Sequence, residues 1–177
     1  MARSDTKTRI QRVARELFIA QGVQQTSLQD IADRLGITKP ALYYHFASRE
    51  ELVRSIVEPM MREGEAFIAE QEAAGPADPA ELLAAYFDLH YRHREVVTLM
   101  IRELPALADL GMVDMIFQWR ERLAVLLVGP SPALERQIGA TVALGGLADC
   151  AVQFAHLAAE EVRPAAVASA RAALGAA

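Results

Sequence analysis

A short run near the start of the chain carries side chains suited to contact a nucleic acid. The run Lys39-Pro-Ala-Leu-Tyr-Tyr-His45 combines an ammonium group, two phenolic hydroxyls and an imidazole with small residues. Lys39 can donate to the acceptor edge of guanine, while Pro40 and Ala41 let the backbone approach a major groove closely. The tyrosines and the histidine can donate to phosphate oxygens. The alternative is that Tyr43 and Tyr44 are partly buried packing residues and Lys39 is a solvated charge.

Three short helices must position this run. Apolar residues at positions 10, 13, 14, 17 and 18 fall on one face of a first helix, which Gly22 ends. Ser27-Leu-Gln-Asp30 is a capping box that opens a second helix, closed by Gly36. Thr38 can cap a third helix that carries a proline in its first turn, where the missing N–H is tolerated. Two short helices joined by a tight turn and supported by a preceding helix form a helix-turn-helix arrangement.

Residues 8–52 resemble the amino-terminal domain of TetR-family transcriptional regulators. The resemblance lies in Thr8-Arg-Ile10, Ala14-Arg-Glu-Leu-Phe18, Gly22, Thr26-Ser-Leu-Gln-Asp-Ile-Ala32, Leu35-Gly-Ile-Thr-Lys-Pro-Ala-Leu-Tyr-Tyr-His-Phe46 and Ser48-Arg-Glu-Glu-Leu52. It implies an all-helical homodimer in which a three-helix DNA-binding domain precedes a larger domain for effector binding and dimerisation. Repression is the usual activity in this family.

The resemblance also implies which residues meet double-stranded DNA. Lys39, Pro40 and Ala41 would face bases, with Gln29 as a further base contact. Other positions would hold the DNA backbone, namely Ser27, Thr38, Tyr43, Tyr44, His45 and Arg49. Two subunits related by a twofold axis would read a near-palindromic operator.

The rest of the chain is predicted to be helical throughout, so the fold class is all-α with about nine helices. Ser48 begins a long helix that reaches about Ala74 and is interrupted by Pro59, a candidate pivot. Further helices are expected at 82–94, 96–104, 109–128, 132–159 and about 164–174, with a break at 75–79. We therefore predict a DNA-binding domain over residues 1–47 and an effector-binding and dimerisation domain over residues 48–177.

The second domain contains many methionines and aromatic residues, which suit a pocket for a small, moderately hydrophobic effector. The candidate ligand contacts are Phe67, Tyr86, His90, Met100, Phe117, Asp149 and Gln153. A stripe of small residues on the penultimate helix permits close approach of another element and is the candidate dimer interface, formed by Gly139, Ala143, Gly146 and Cys150.

Composition argues against several other classes. The chain is 53% hydrophobic and 23% charged, so it should fold, and its net charge of −5 hides eight Lys/Arg against five acids in residues 1–50. Because the amino-terminal part is basic and the rest of the chain is acidic, we expect contact with a polyanion through the amino-terminal part alone.

Residues 138–158 are nearly uncharged, but the central Asp149 indicates a buried helix rather than a membrane span. We expect a cytosolic protein, since no apolar signal segment follows the start.

No cofactor, metal or enzymatic activity is predicted. The sequence has no P-loop, HExxH or GxSxG motif. Asp88, His90 and His93 could seat a divalent cation but lack a convincing further ligand, and the single Cys150 could be a redox sensor or a small buried apolar residue. Two other functions stay open, a sequence-indifferent architectural DNA-binding protein and a helical protein-interaction module.

Overall fold

A computed structural model describes residues 2–75 and 78–175, with side chains from residue 5. This described part contains ten helices and no strand, so the predicted all-α class is confirmed. The helices are α1 Ala2–Gln21, α2 Leu28–Leu35, α3 Lys39–Tyr43, α4 Arg49–Ala74, α5 Pro79–Arg92, α6 Arg94–Arg102, α7 Leu104–Asp109, α8 Val113–Val128, α9 Leu134–Gln153 and α10 Ala159–Ala173. Residues 76 and 77 of the predicted 75–79 break lie outside the described residues.

Several helix boundaries differ from the prediction, among them the starts of α8 at Val113 and α9 at Leu134, and two differences involve a proline. Pro105 does not merely end a helix; it occupies the first turn of the short α7, which the sequence analysis missed. Pro164 lies inside α10, which begins at Ala159 rather than near residue 164. Pro164 is exposed, so the carbonyl left without a helical partner can be solvated. The penultimate helix also ends earlier than predicted, at Gln153.

Pro59 does not interrupt α4, contrary to the prediction. A proline in a helix deprives the carbonyl four residues earlier of its N–H partner, and here that carbonyl belongs to Ser55. The side-chain amide of Gln11 in α1 donates to the Ser55 carbonyl at 3.2 Å and to the Ser55 hydroxyl at 3.1 Å. Gln11 therefore supplies the donor that Pro59 lacks, and α4 continues for 26 residues.

The chain forms two compact units. The first comprises Met1–Met61 and Thr98–Val113, and the second comprises Arg62–Val97 and Asp114–Ala177. This division by packing differs from the predicted division by function at residues 47 and 48, which stays a prediction. Helix α4 contributes its first half to one unit and its second half to the other.

The first unit has an apolar core under α1, α2 and α3. Ile10, Phe18, Ile31, Leu42 and Phe46 are almost completely buried there. The segment 98–113 is tied to the end of α1 by two hydrogen bonds: the guanidinium of Arg102 donates to the Ile19 carbonyl at 3.0 Å, and the Val23 N–H donates to the Glu103 carboxylate at 3.1 Å. The loop between α1 and α2 is thereby fixed.

The second unit is built on mutual packing of α5, α9 and α10. Helix α9 buries the face that carries Ala140, Leu144, Leu147 and Ala151. Gly139 permits close approach of α10, because a Cβ atom at this position would collide with the Ala173 carbonyl. Among the described helices, none is both long enough and apolar enough to cross a membrane.

The donor role of Gln11 gives a first prediction. Pro59→Ala restores the helical N–H to the Ser55 carbonyl and should stabilise the protein by about 1 to 3 kcal/mol. Gln11→Ala should cost about 1 kcal/mol in the natural background and clearly less in the Pro59→Ala background. Urea unfolding of the two single variants and the double variant measures the coupling. Gln25→Ala, at an exposed position, is the control. An equal cost of Gln11→Ala in both backgrounds would show that this bond does not compensate for Pro59.

Candidate DNA-binding surface and effector cavity

Local capping fixes the two helices of the helix-turn-helix. The Ser27 hydroxyl accepts from the Asp30 N–H at 3.1 Å, and the Asp30 carboxylate accepts from the Ser27 N–H at 2.8 Å, which completes the predicted capping box. The Ser27 hydroxyl also donates to the Asp30 carboxylate at 2.7 Å, and this bond together with that from the Ser27 N–H holds the pKa of the Asp30 carboxyl below its usual range. Gly36 adopts a φ of 67° and ends α2, a conformation that suits glycine. Thr38 then caps α3 by accepting from the Ala41 N–H at 3.3 Å.

Helix α3 divides its side chains between the core and the surface. Leu42 is fully buried and Phe46, just beyond the helix, is 1% exposed. Tyr43 and Tyr44 on the other side are 45% and 66% exposed. The three predicted base-facing residues of this helix, Lys39, Pro40 and Ala41, are exposed as well. Both tyrosines are thus at the surface rather than in the core, and their contact with DNA stays a prediction.

Five of the predicted DNA contacts line one concave surface of about 340 Å³. It joins the start of α2, the exposed side of α3 and the start of α4. The Lys39 ammonium lies 5.8 Å from the centre of the Tyr43 ring, which holds the cation at the surface. We call this surface the α2–α3 groove; its predicted contacts are Ser27, Gln29, Lys39, Tyr43 and Arg49. Thr38, Pro40, Ala41, Tyr44 and His45 are not part of its lining.

Some of these polar groups already have partners within the protein. The Gln29 amide donates to the Asp33 carboxylate at 2.6 Å. The Arg49 guanidinium donates to the Gln24 carbonyl and to the Gln24 side-chain oxygen, both at 3.0 Å. Arg49 therefore anchors the loop between α1 and α2 to the start of α4. Its remaining N–H groups could still meet a phosphate, since a guanidinium has five donors.

The predicted effector contacts do not gather at one cavity. Met100 belongs to the first unit, whereas the other predicted ligand residues belong to the second. In the second unit Phe67 is half-buried, Tyr86 is buried, and Phe117, Asp149 and Gln153 are exposed. Tyr86 and His90 form a close pair, with ring centroids 4.0 Å apart, and the charge of Asp149 also acts on Tyr86. Ligand contact by this set stays a prediction.

Burial controls the protonation of that pair. It lowers the pKa of His90 to about 4, and the nearby positive charges of Arg120 and His93 lower it further, although the bond to the Tyr86 carbonyl opposes them. The His90 Nδ1 lies 2.9 Å from that carbonyl. Burial also raises the pKa of Tyr86, while Arg120 lowers it. His90 is therefore neutral at pH 7 and adds no charge to the interior.

A large groove that the sequence analysis did not identify lies between α8 and α9. Its volume is about 650 Å³, and it is closed at one end by the Gly129–Pro132 connection. Of the predicted ligand residues, Phe117 alone lines it. We call it the α8–α9 cavity; its lining is Phe117, Arg120, Glu121, Ala124, Val125, Val128, Gly129, Pro130, Ser131, Pro132, Gln137, Thr141 and Leu144. The proline-containing connection marks only a helix break in the sequence and gives no signal of a cavity.

The small-residue stripe on α9 is only partly available to a partner. Gly139 and Ala143 are buried within their own subunit, so they cannot form an outer contact as predicted. Gly146 is exposed and Cys150 is partly exposed. The open face of α9 instead carries large apolar residues one turn apart, Leu134, Ile138 and Val142, which are 54–65% exposed.

The alternative metal and redox chemistries find no support in the contacts of their residues. His93 Nε2 lies 2.6 Å from the Glu63 carboxylate, and Asp88 pairs with the Arg163 guanidinium at 2.8 Å. Within residues 2–75 and 78–175, no cluster of three or more potential metal ligands occurs. Burial raises the pKa of the Cys150 thiol, and Asp149 raises it further, which disfavours the reactive thiolate.

A contact network that the sequence analysis missed fastens α8 to the second half of α4. The Trp119 indole donates to the Glu65 carboxylate at 2.7 Å. Arg122 donates two bonds to Glu65 and two to Glu72, at 2.7–3.0 Å. Gly64 makes room for the indole, because a Cβ atom there would lie 2.5 Å from Trp119 Cζ3. The spacing of residues along the sequence does not reveal such pairs, because they depend on how two helices that are far apart in the sequence align.

Comparison with known proteins accounts for the first part of the chain. Residues 10–56 match the sequence profile of the family described as bacterial regulatory proteins, tetR family. Residues 10–56 therefore carry the amino-terminal domain of the TetR family. Similar proteins include the HTH-type transcriptional regulator TtgR of Pseudomonas putida, 31% identical over 75 residues, and AcrR of Shigella flexneri, 37% identical over 79 residues. These alignments cover 42% and 45% of this chain but only 36% and 37% of the relatives.

Solved structures resemble this chain over nearly its full length. A transcriptional regulator from Aquifex aeolicus is 28% identical with a TM-score of 0.68, covering 96% of this chain and 98% of its own. The TetR-family regulator PfmR from Thermus thermophilus is 25% identical with a TM-score of 0.66, covering 94% and 97%. The likeness therefore extends to the helices beyond the helix-turn-helix.

The low pKa of His90 gives a second prediction. The unfolded chain binds a proton to this histidine below about pH 6.5, whereas the folded chain does so only near pH 4. Its neutral burial thus contributes fully above pH 6.5, and up to about 3 kcal/mol of stability is lost as the pH falls to 4. His90→Gln should flatten the pH dependence of urea unfolding across this window. His156→Gln, at an exposed position, is the control. An unchanged slope for His90→Gln would contradict the assignment.

Proposed function

We propose that the chain is a homodimeric, ligand-responsive transcriptional repressor that acts in the cytoplasm on double-stranded DNA. It binds a near-palindromic operator and leaves it when a small, moderately hydrophobic effector binds. The observation that carries this proposal is the exposed side of α3, which presents Lys39 and two tyrosines on a capped helix-turn-helix that matches the TetR family. The relatives' names, HTH-type transcriptional regulators, point the same way.

Helix α3 contacts the bases. Lys39 donates to guanine acceptors, while Pro40 and Ala41 lie against base edges without steric hindrance. Ser27, Thr38, Tyr43, Tyr44, His45 and Arg49 contact the DNA backbone, and Gln29 contacts a base after releasing Asp33. In a dimer, the two α3 helices enter successive major grooves about 34 to 36 Å apart.

Release depends on α4, which belongs to both compact units as one uninterrupted helix. An effector that favours another position of α4 changes the separation of the two α3 helices. A coupling of about 1 to 3 kcal/mol changes operator affinity some 5- to 150-fold, enough for a switch. Because Gln11 supports the proline turn, α4 would move as a rod rather than bend at Pro59.

The experiment that tests the function is selection of bound duplexes from a random pool, followed by titrations with variants. Lys39→Ala should lose about 1 to 3 kcal/mol of discrimination at the base it contacts. Arg12→Ala, which removes a cation already paired with Glu16 in α1, is the charge-matched control and should retain the preference. Equal binding of selected and scrambled duplexes by the natural protein would favour the architectural alternative. Failure to retain any duplex at moderate salt would favour a protein-interaction module.

Dimerisation can be tested on the open face of α9. We place the partner against Leu134, Ile138 and Val142, together with Gly146 and Cys150. Ile138→Glu introduces a charge that a dimer would bury, so it should produce a monomer at micromolar concentration and abolish operator binding. Sedimentation velocity measures the mass. Ile101→Glu in α6, also at an exposed apolar position, should stay dimeric. A dimeric Ile138→Glu protein would contradict this interface.

A further inference from the structure

The α8–α9 cavity combines apolar walls with one cationic side chain. Its volume of about 650 Å³ lies in the usual range for small-molecule sites. Phe117, Val125, Val128 and Leu144 supply apolar surface, and Arg120 is the only cation among the residues that line it. Phe117 is 62% exposed and Val125 is 43% exposed, so this apolar surface is open to a ligand.

Arg120 has no carboxylate partner among the described residues. Two other arginines of the second unit do have carboxylate partners: Arg122 makes ion pairs with Glu65 and Glu72, and Arg163 pairs with Asp88. Arg120 is half-buried, and Glu121, which also lines the cavity, is exposed and forms no ion pair with it. The charge of Asp149 also acts on the Tyr86 hydroxyl near Arg120, but Asp149 makes no ion pair with the guanidinium. A partly desolvated guanidinium without a direct carboxylate partner favours binding of an anion.

The guanidinium lies near groups of α5 and α9. Its charge acts on the buried Tyr86 hydroxyl and lowers the pKa of Tyr86, against the larger effect of burial. On the other side it lies against Gly145, where an added Cβ atom would stand 3.4 Å from Arg120 Nη2. An arginine confined by such neighbours loses less side-chain entropy on binding a ligand than one free in solvent. It is a prepared anion site at the edge of an apolar cavity.

We propose that the α8–α9 cavity binds an apolar monocarboxylate whose carboxylate pairs with Arg120. One cation matches one negative charge, and Glu121 at the lining disfavours a second anionic group. Gln137 and Thr141 offer further hydrogen bonds, while the apolar walls take the body of the ligand. That this acid is the effector rests on the proposed function.

The position of α8 connects the cavity to α4. Arg120 and Phe117 line the cavity, whereas Trp119 and Arg122 on the same helix contact Glu65 of α4. A ligand that displaces α8 therefore acts on α4 through these bonds. Helix α8 alone therefore suffices to transmit the effect of a bound ligand to α4, the helix that follows the helix-turn-helix in the chain.

The test is calorimetric titration of the full-length natural protein without DNA. Octanoate and 4-phenylbutanoate are the probes, with octan-1-ol and 4-phenylbutan-1-ol as neutral counterparts. We expect at least one acid to bind at least about tenfold more tightly than its alcohol, the loss expected when a charge-assisted bond is removed. Equal affinity for acid and alcohol, or no binding of either acid at millimolar concentration, overturns the proposal.

Variants assign the binding to Arg120. Arg120→Gln should weaken binding of the acid by at least about tenfold and leave binding of the alcohol unchanged. Arg120→Lys should recover part of the lost affinity for the acid. Arg136→Gln, with the same charge change at an exposed position of α9, is the matched control. Ala124→Phe, which fills the cavity from α8 and keeps the charge of Arg120, should abolish binding of acid and alcohol alike, and it tests the site independently of whether Arg120→Gln folds. Unchanged acid affinity in a folded Arg120→Gln or Ala124→Phe variant overturns the site.

Operator titrations separate this proposal from the proposed function. An acid that binds through Arg120 and weakens operator binding supports both. An acid that binds through Arg120 without affecting operator affinity leaves the carboxylate site standing and contradicts its role as effector. Sequence-specific DNA binding with no Arg120-dependent acid binding overturns the carboxylate site alone.

Discussion

The continuity of α4 is the constraint on which the rest of the structure depends. This helix carries Arg49 at its first turn, beside α3, and Glu65 and Glu72 near its other end. A proline in its interior would normally break it, because the Ser55 carbonyl has no N–H to accept. The Gln11 amide replaces that donor from a neighbouring helix. The Gln11 amide thus keeps α4 helical through Pro59, and α4 contributes residues to both compact units.

The helix-turn-helix could be predicted from sequence nearly to the residue because its signals are local. Ser27 with Asp30, Gly36 and Thr38 each act within four residues of their own position, and a cap needs no information from the rest of the fold. Leu42 and Phe46 show by spacing alone which side of α3 is buried. The outward position of Lys39 and the tyrosines then follows from geometry.

The second unit could be predicted only as a set of helices. Within the predicted stripe Gly139, Ala143, Gly146 and Cys150, close approach of another element occurs at Gly139, whereas a Cβ atom at Gly146 would meet nothing within 4 Å. A spacing pattern also does not say which element approaches. At Gly139 the close neighbour is α10 of the same subunit, whose small residues Ala166 and Ala170 are also buried. The α8–α9 cavity was missed for the same reason, since Arg120 and Thr141 come together only through the alignment of two helices.

Packing between α4 and α8 explains how a small displacement of α8 at the cavity can be transmitted to α4. The Trp119 ring lies where a Cβ atom on Gly64 would stand, so the two helices have little space to slide past one another. Arg122 adds four directed bonds that hold their register. Close-packed contacts of this kind move between discrete arrangements rather than deform gradually. A shift of α8 must therefore either break the Trp119 and Arg122 contacts or carry α4 with it, and the second course keeps every hydrogen bond satisfied.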